Sequence, residues 1–171
     1  MKTKALFLDR DGIINVDHGY VYQKKDFEFV EGIFDLVKLF TDAGYLIFVV
    51  TNQSGIGRGY YSEEDFTALT DWMIDEFEKK ALKIEKVYYC PHTPEDKCHC
   101  RKPATGMIEQ ALADYPVNLA NSWLIGDKQS DIDLAKNANI QNSIYIGNKD
   151  ITNATYTFNS IPECRVGLPT I

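Results

Sequence analysis

The sequence predicts an α/β fold: a mostly parallel sheet with helices on both faces. Short apolar runs rich in β-branched and aromatic residues recur along the chain, and stretches of helical periodicity separate them. No Pro/Gly/Ser-rich linker, internal repeat or low-complexity tract divides the 171 residues. Strands that alternate with helices require right-handed crossovers, which lay helices on both sides of parallel strands. With 44% apolar side chains, the length suits one domain over 1–171 with a sizeable core.

Strands are expected at Ala5 to Leu8, Tyr45 to Val50, Val87 to Tyr89, Trp123 to Ile125 and Ile144 to Ile146. Between the first two, Ile33, Leu36, Val37 and Phe40 make one apolar helical stripe that Gly44 stops. A second stripe, Phe66, Leu69, Met73 and Phe77, opens at Ser62-Glu63-Glu64-Asp65, where Ser and an acid three residues on resemble a capping box. Met107, Ile108, Ala111 and Leu112 mark a third helix, and Ile132, Ala135 and Ala138 a weaker fourth. From about residue 148 the chain is Asn/Thr-rich and weakly periodic, and is expected to be an irregular tail packed against the domain.

Composition excludes several classes of function. The formal charge of −7 repels phosphodiester backbones and anionic bilayers, so neither nucleic acid nor membrane is an expected partner. Apolar runs reach only six residues, against the ~20 needed to span a bilayer, and the N-terminus lacks a signal-peptide core. The expectation is a soluble, cytoplasmic monomer. In that compartment thiols stay reduced, so the four cysteines are not expected to form disulfides.

In an open α/β sheet, ligands bind beyond the carboxyl ends of the strands. Those ends carry Asp9-Arg10-Asp11-Gly12, Thr51-Asn52-Gln53-Ser54-Gly55, Arg101-Lys102-Pro103 and Gly126-Asp127-Lys128. Asp9, Asp11 and Asp127 would repel one another at one edge unless a hard cation sat among them, with Mg2+ the expected ion. Carboxylates, a metal and a lysine around one pocket suit phosphoryl transfer: one aspartate attacks, and a second two residues on moves the protons. No G-x-x-x-x-G-K-[ST] loop is present to cradle a nucleotide.

The loop Cys90-Pro91-His92-Thr93-Pro94-Glu95-Asp96-Lys97-Cys98-His99-Cys100 groups three thiols and two imidazoles within residues 90–100. Cys90, His92, Cys98 and Cys100 match a closed tetrahedral site for structural Zn2+. His99 is the competing nitrogen ligand, expected to point away when both flanking cysteines bind. A redox use would normally show C-x-x-C spacing, which is absent. Cys164 stands apart as a buried or bystander thiol.

In their order and separation, the four strand-end motifs resemble those of the haloacid dehalogenase (HAD) superfamily phosphatases, over roughly residues 4 to 147. The resemblance implies a HAD-like, Rossmann-like sheet. It also implies that Asp9 is the nucleophile and a Mg2+ ligand, and that Asp11 is the general acid/base, offering the metal its backbone carbonyl. Asp127 would complete the metal ligands, while Thr51 and Lys102 would hold phosphoryl oxygens. Asp17, His18, Gly19, Tyr20, Thr51, Asn52, Gln53, Ser54, Arg101, Lys102 and Lys128 would line the substrate pocket. Ile13 stands where the family usually has Thr.

Short connections leave no room for a separate cap domain, so the pocket should admit a substrate larger than free phosphate. Asp17-His18-Gly19-Tyr20 and Thr51 to Ile56 point to the branch acting on a small sugar bisphosphate. Histidinol-phosphate phosphatase is the rival branch, and the short gap between His92 and Cys98 is nearer to it. A zinc-bearing interaction module is the alternative from another class; replacement of Asp9, Lys102 or Asp127 would favour it, and all three are present.

Overall fold

The computed structural model describes Met1–Ile171. Its six strands form one sheet of order β3-β2-β1-β4-β5-β6, and every pairing is parallel. The strands are β1 Ala5–Leu8, β2 Leu46–Asn52, β3 Lys86–Cys90, β4 Trp123–Gly126, β5 Asn142–Ile146 and β6 Tyr156–Phe158. The helices are α1 Ile33–Asp42, α2 Ser54–Gly57, α3 Glu63–Glu78, α4 Gly106–Asp114, α5 Gln129–Asn137 and α6 Ile161–Gly167.

Side chains alternate across β1 and divide the core in two. Leu6 and Leu8 join the buried faces of α1, α3 and α6, while Ala5 and Phe7 join those of α4 and α5. Both faces of the sheet are therefore covered, as the near-continuous apolar strands require. The capping box at Ser62 forms as expected: Asp65 N donates to Ser62 Oγ and Ser62 N to Asp65 Oδ2, both at 3.0 Å.

The 9–32 connection builds no separate cap. It folds back on the sheet through an Asn15–Phe29 bridge and buries Ile13, Ile14, Val21 and Phe27 in the core. Ile13 thus serves packing, where the family's usual Thr would present a hydroxyl.

Several expectations need correction. β2 starts at Leu46 and runs on through Thr51 and Asn52, so that motif sits on the strand end itself. Leu112 is 39% exposed because α4 buries Gly106, Met107, Ile108 and Ala111 instead, and Ala138 lies just beyond α5. The tail is not irregular. β6 adds a sixth strand beside β5, and α6 packs Ile161 and Cys164 into the core, where burial pushes the Cys164 thiol up to about 12. A three-residue strand and a helix holding two buried residues are too short to show a period. The Ser160 cap, which accepts from Glu163 N at 3.3 Å, was the local signal.

If α6 is core, Ile161→Ala should lower unfolding stability by about 2–5 kcal/mol in urea titration without changing activity. A loss below about 0.5 kcal/mol, as at a surface position, would return the segment to a loosely packed tail.

Candidate active site

The sheet's connectivity changes direction at β1 and β4, and the pocket opens where crevices form at such a switch point. Asp9 follows β1, Thr51 ends β2, and Asp127 and Lys128 follow β4. Gly12 makes the turn after Asp11 with φ +93°, a left-handed conformation. A Cβ there would lie 2.0 Å from Asp127 Oδ2, so only glycine lets the two motifs approach.

Asp9 is buried, and its Oδ1 accepts from Lys102 Nζ at 2.8 Å and from Arg10 N at 2.9 Å. That arrangement leaves Oδ2 as the oxygen free of N–H donors. Lys102 Nζ also donates to Asp131 Oδ1 at 2.7 Å and to the Val50 carbonyl at 2.9 Å, which uses all three ammonium protons. Burial would raise the Asp9 carboxyl, but the Lys102 ammonium overrides it, with Lys128 assisting, and holds Asp9 below the usual carboxylate range. Burial would lower Lys102, and Asp131 and Asp9 reverse this and keep it firmly protonated.

Asp127 behaves oppositely. Burial and the neighbouring Asp9 carboxylate push it up to about 7, and its Oδ1 is buried without a hydrogen-bond partner. Burial and Asp9 raise Asp131 to about 6 in spite of Lys102. Carboxylate oxygens of Asp9, Asp127 and Asp131 lie within 4.8 Å of one another. An orphaned carboxylate oxygen among mutually repelling acids is relieved by a hard divalent cation, so the donor set fits Mg2+.

A cavity of about 370 Å³ lies over these groups, lined by Asp9, Asp11, Asp17, Gly19, Tyr20, Asn52, Gln53, Ser54, Arg101, Lys102 and Lys128. Thr51 is fully buried beneath it, its Oγ1 accepting from Gln53 Nε2 at 2.8 Å. His18 departs from expectation: its side chain is exposed and pairs with Glu28 at 3.1 Å, outside the cavity. A residue next to a pocket loop need not face the pocket.

A HAD-hydrolase-like family model matches residues 99–149. The D-glycero-alpha-D-manno-heptose-1,7-bisphosphate 7-phosphatase of Campylobacter jejuni is 51% identical over 146 residues, 85% of this chain and 84% of the relative. The chain belongs to the D-glycero-D-manno-heptose-1,7-bisphosphate 7-phosphatase family. A beta-anomer member from Helicobacter pylori is 45% identical and covers 95% of this chain and 92% of its own. Among solved structures, the D,D-heptose 1,7-bisphosphate phosphatase from B. bronchiseptica, complexed with magnesium and phosphate, superposes with TM-score 0.84 at 26% identity. It covers 95% of this chain and 96% of that one.

The cysteine loop leads directly into Arg101-Lys102. Cys98 Sγ lies 3.4 Å from Cys90 Sγ and 3.6 Å from Cys100 Sγ, and His92 Nδ1 lies 3.5 and 3.3 Å from those same two sulfurs. His99 turns outward to Glu109. Cys90 and Cys100 sulfurs are in disulfide contact, which departs from the expectation that no cysteines pair. A disulfide would use two of these donors and leave Cys98 and His92 converging on nothing, whereas a tetrahedral cation uses all four. The set fits Zn2+. Gln53 N donates to the Cys90 carbonyl at 2.7 Å, and Lys102 N to Asn52 Oδ1 at 2.9 Å, so the loop is fastened to the end of β2 at both sides.

The sequence reading missed Asp131, Tyr61 and Ser130, which also line the cavity. Asp131 follows Asp127 by one helical turn and accepts at Oδ2 from Asp127 N and Lys128 N, both at 3.2 Å. An acid in the first turn of α5 was its signal. Tyr61, whose hydroxyl donates to Gln53 Oε1, gave none.

The raised carboxyls carry a pH signature. Asp127 and Asp131 keep protons up to about 7 and 6 that the unfolded chain releases near 3.8. In that window the folded state binds more protons, so stability falls as pH rises. Melting of Mg2+-free protein should drop by roughly 5 °C from pH 5 to pH 7.5 through these groups, with Mg2+ cancelling the loss and Asp127→Asn flattening it. Identical slopes for wild type and Asp127→Asn would remove the buried-acid explanation.

Proposed function

We propose that the protein is a Mg2+-dependent phosphatase that removes the 7-phosphate of D-glycero-D-manno-heptose 1,7-bisphosphate, in the biosynthesis of nucleotide-activated heptose in the cytoplasm. The observation that carries this reading is the buried Asp9–Lys102–Asp131 ion triad at the floor of a polar cavity. It holds a carboxylate ionised and aimed at whatever the cavity admits. Family membership supports the substrate.

Asp9 Oδ2 attacks phosphorus as the bond to the sugar's O7 breaks, and Asp11 gives the departing alkoxide its proton. Water then attacks phosphorus of the aspartyl phosphate while Asp11 takes its proton, which returns Asp9 and releases inorganic phosphate. Lys102, whose three protons go to Asp9, Asp131 and the Val50 carbonyl, offsets phosphoryl charge from beside Asp9 instead of holding its oxygens directly. Thr51 supports Gln53 from beneath the cavity. Asp9, Asp127 and the backbone carbonyl of Asp11 would hold Mg2+, which offsets charge on the transferring group.

The second phosphate needs cations beyond this centre. Arg101 and Lys128 are placed for it. Arg101 Nη1 is buried without a partner, and Lys128 Nζ lies between Asp17 at 3.8 Å and Asp127 at 3.6 Å. Arg in particular can fork two phosphate oxygens, and the remote phosphate supplies binding energy for orientation. Cys90, His92, Cys98 and Cys100 would hold Zn2+ as a structural ion that sets the course of the chain into Arg101 and Lys102.

A substrate panel tests the assignment. The heptose bisphosphate, as either anomer, should exceed histidinol phosphate in kcat/KM by at least ~100-fold, the worth of one or two charge-assisted contacts. Arg101→Ala should narrow that gap, and Asp9→Asn should abolish release of phosphate while the protein stays folded. A preference for histidinol phosphate would overturn the sugar, and multiple turnover by Asp9→Asn would overturn the aspartyl-phosphate route.

Metal analysis should find one zinc per chain with four thiols titratable after denaturation. Cys98→Ser should lower both stability and activity, stability by several kcal/mol, on the order of that for other structural zinc sites. Full activity in a variant shown to be zinc-free would exclude the positioning role of the loop.

A further inference from the structure

Arg10 lies between the two aspartates of the first motif, yet its side chain is 2% exposed and never reaches the cavity. Its Nη2 donates to Asp11 Oδ1 at 2.9 Å and to the Val21 carbonyl at 2.8 Å, while Nε and Nη1 have no partner. The rings of Phe27 and Phe66 lie over it, their centroids 5.8 and 6.0 Å from Cζ. A guanidinium so deeply buried is costly unless it meets a carboxylate, and Asp11 is the one it meets.

Asp11 is held from other sides as well. Its Oδ1 also accepts from Asn15 Nδ2 at 3.0 Å, and its Oδ2 accepts from Gln53 Nε2 at 3.1 Å. The Tyr61 hydroxyl donates to Gln53 Oε1, which orients that amide with its NH2 toward Asp11. Val21 closes the segment whose Gly19 and Tyr20 line the cavity. Arg10 therefore joins the backbone beside the substrate loop to one oxygen of Asp11.

We propose that Arg10 is a positioning residue for proton transfer: it holds the Asp11 carboxylate in one orientation and registers it against the substrate loop at Val21. The inference rests on the reading of Asp11 as general acid/base. Arg10 touches no reacting atom and acts through Asp11. Lysine in its place would keep the charge, but its rotating ammonium lacks the fixed planar pair of Nη2 protons that meets Asp11 and Val21 together.

A change of leaving group separates this role from support of the fold. A sugar alkoxide needs the proton of Asp11 to depart, whereas p-nitrophenolate leaves without one. In Arg10→Lys and Arg10→Gln, kcat/KM for the heptose bisphosphate should fall on the order of tenfold to a hundredfold, and for p-nitrophenyl phosphate less than about threefold. Asp11→Asn should show the same split, only larger. Absence of a split in Asp11→Asn would mean that the acid/base reading itself fails. A split there, with Arg10 variants that slow both substrates equally or neither, would overturn the role of Arg10 alone. Should neither Arg10 variant fold, Gln53→Met, which frees the other oxygen of Asp11, takes over the comparison. An unsplit response there would overturn positioning of Asp11 by its neighbours.

Discussion

A single ammonium group holds the active end of the sheet together. Lys102 Nζ reaches Asp9 after β1, the Val50 carbonyl in β2 and Asp131 in α5, and its own backbone is bonded to Asn52. Four segments distant in sequence meet at one buried charge. Desolvating a lysine and two aspartates is strongly unfavourable unless every proton finds an oxygen, and here each does. Removal of one partner would leave the others as uncompensated buried charges, so the triad tolerates no partial assembly.

The remainder of the site follows from that constraint. Lys102 can reach its partners only if the chain leaving the cysteine loop takes one course, and the convergence of Cys90, His92, Cys98 and Cys100 supplies it. The loop presses on its surroundings closely: Gly57 N donates to the Pro91 carbonyl at 2.9 Å and Gly106 N to the His99 carbonyl at 3.0 Å. A side chain at either glycine would collide with those carbonyls. Two charge environments then arise a few ångströms apart. Asp9, beside the ammonium, stays ionised, while Asp127, facing carboxylates and with an unpartnered buried oxygen, is pushed toward its protonated form. Environments that push neighbouring acids in opposite directions suit them to different tasks.

The 9–32 connection lines the cavity with Asp11, Asp17, Gly19 and Tyr20, while its apolar residues Ile13, Ile14, Val21 and Phe27 belong to the core. Because that connection is anchored, Gly19 and Tyr20 are presented on a fixed support. Arg10 uses the same anchorage, with Phe27 on one side and the carbonyl of Val21 at its tip. The Gly19-Tyr20 segment and the Asp11 carboxylate are thereby parts of one packed unit.

The sequence by itself determined the alternation of strands and helices, the four strand-end motifs and the donor set of the cysteine loop. These are local properties: a run of apolar residues has its period, and Asp-Arg-Asp-Gly or a cluster of thiols has its chemistry, wherever the chain places them. Tertiary structure decided what depends on distance. It turned His18 away to Glu28 and sank Thr51 beneath Gln53. It recruited Asp131 to Lys102 and converted the aperiodic tail into β6 and α6 against an existing core. It also buried Arg10 against Asp11, a contact that the Asp9-Arg10-Asp11-Gly12 motif by itself does not specify. Side-chain direction and pairing are set by packing between segments far apart in the chain, and no local pattern encodes a partner that only the folded sheet brings near.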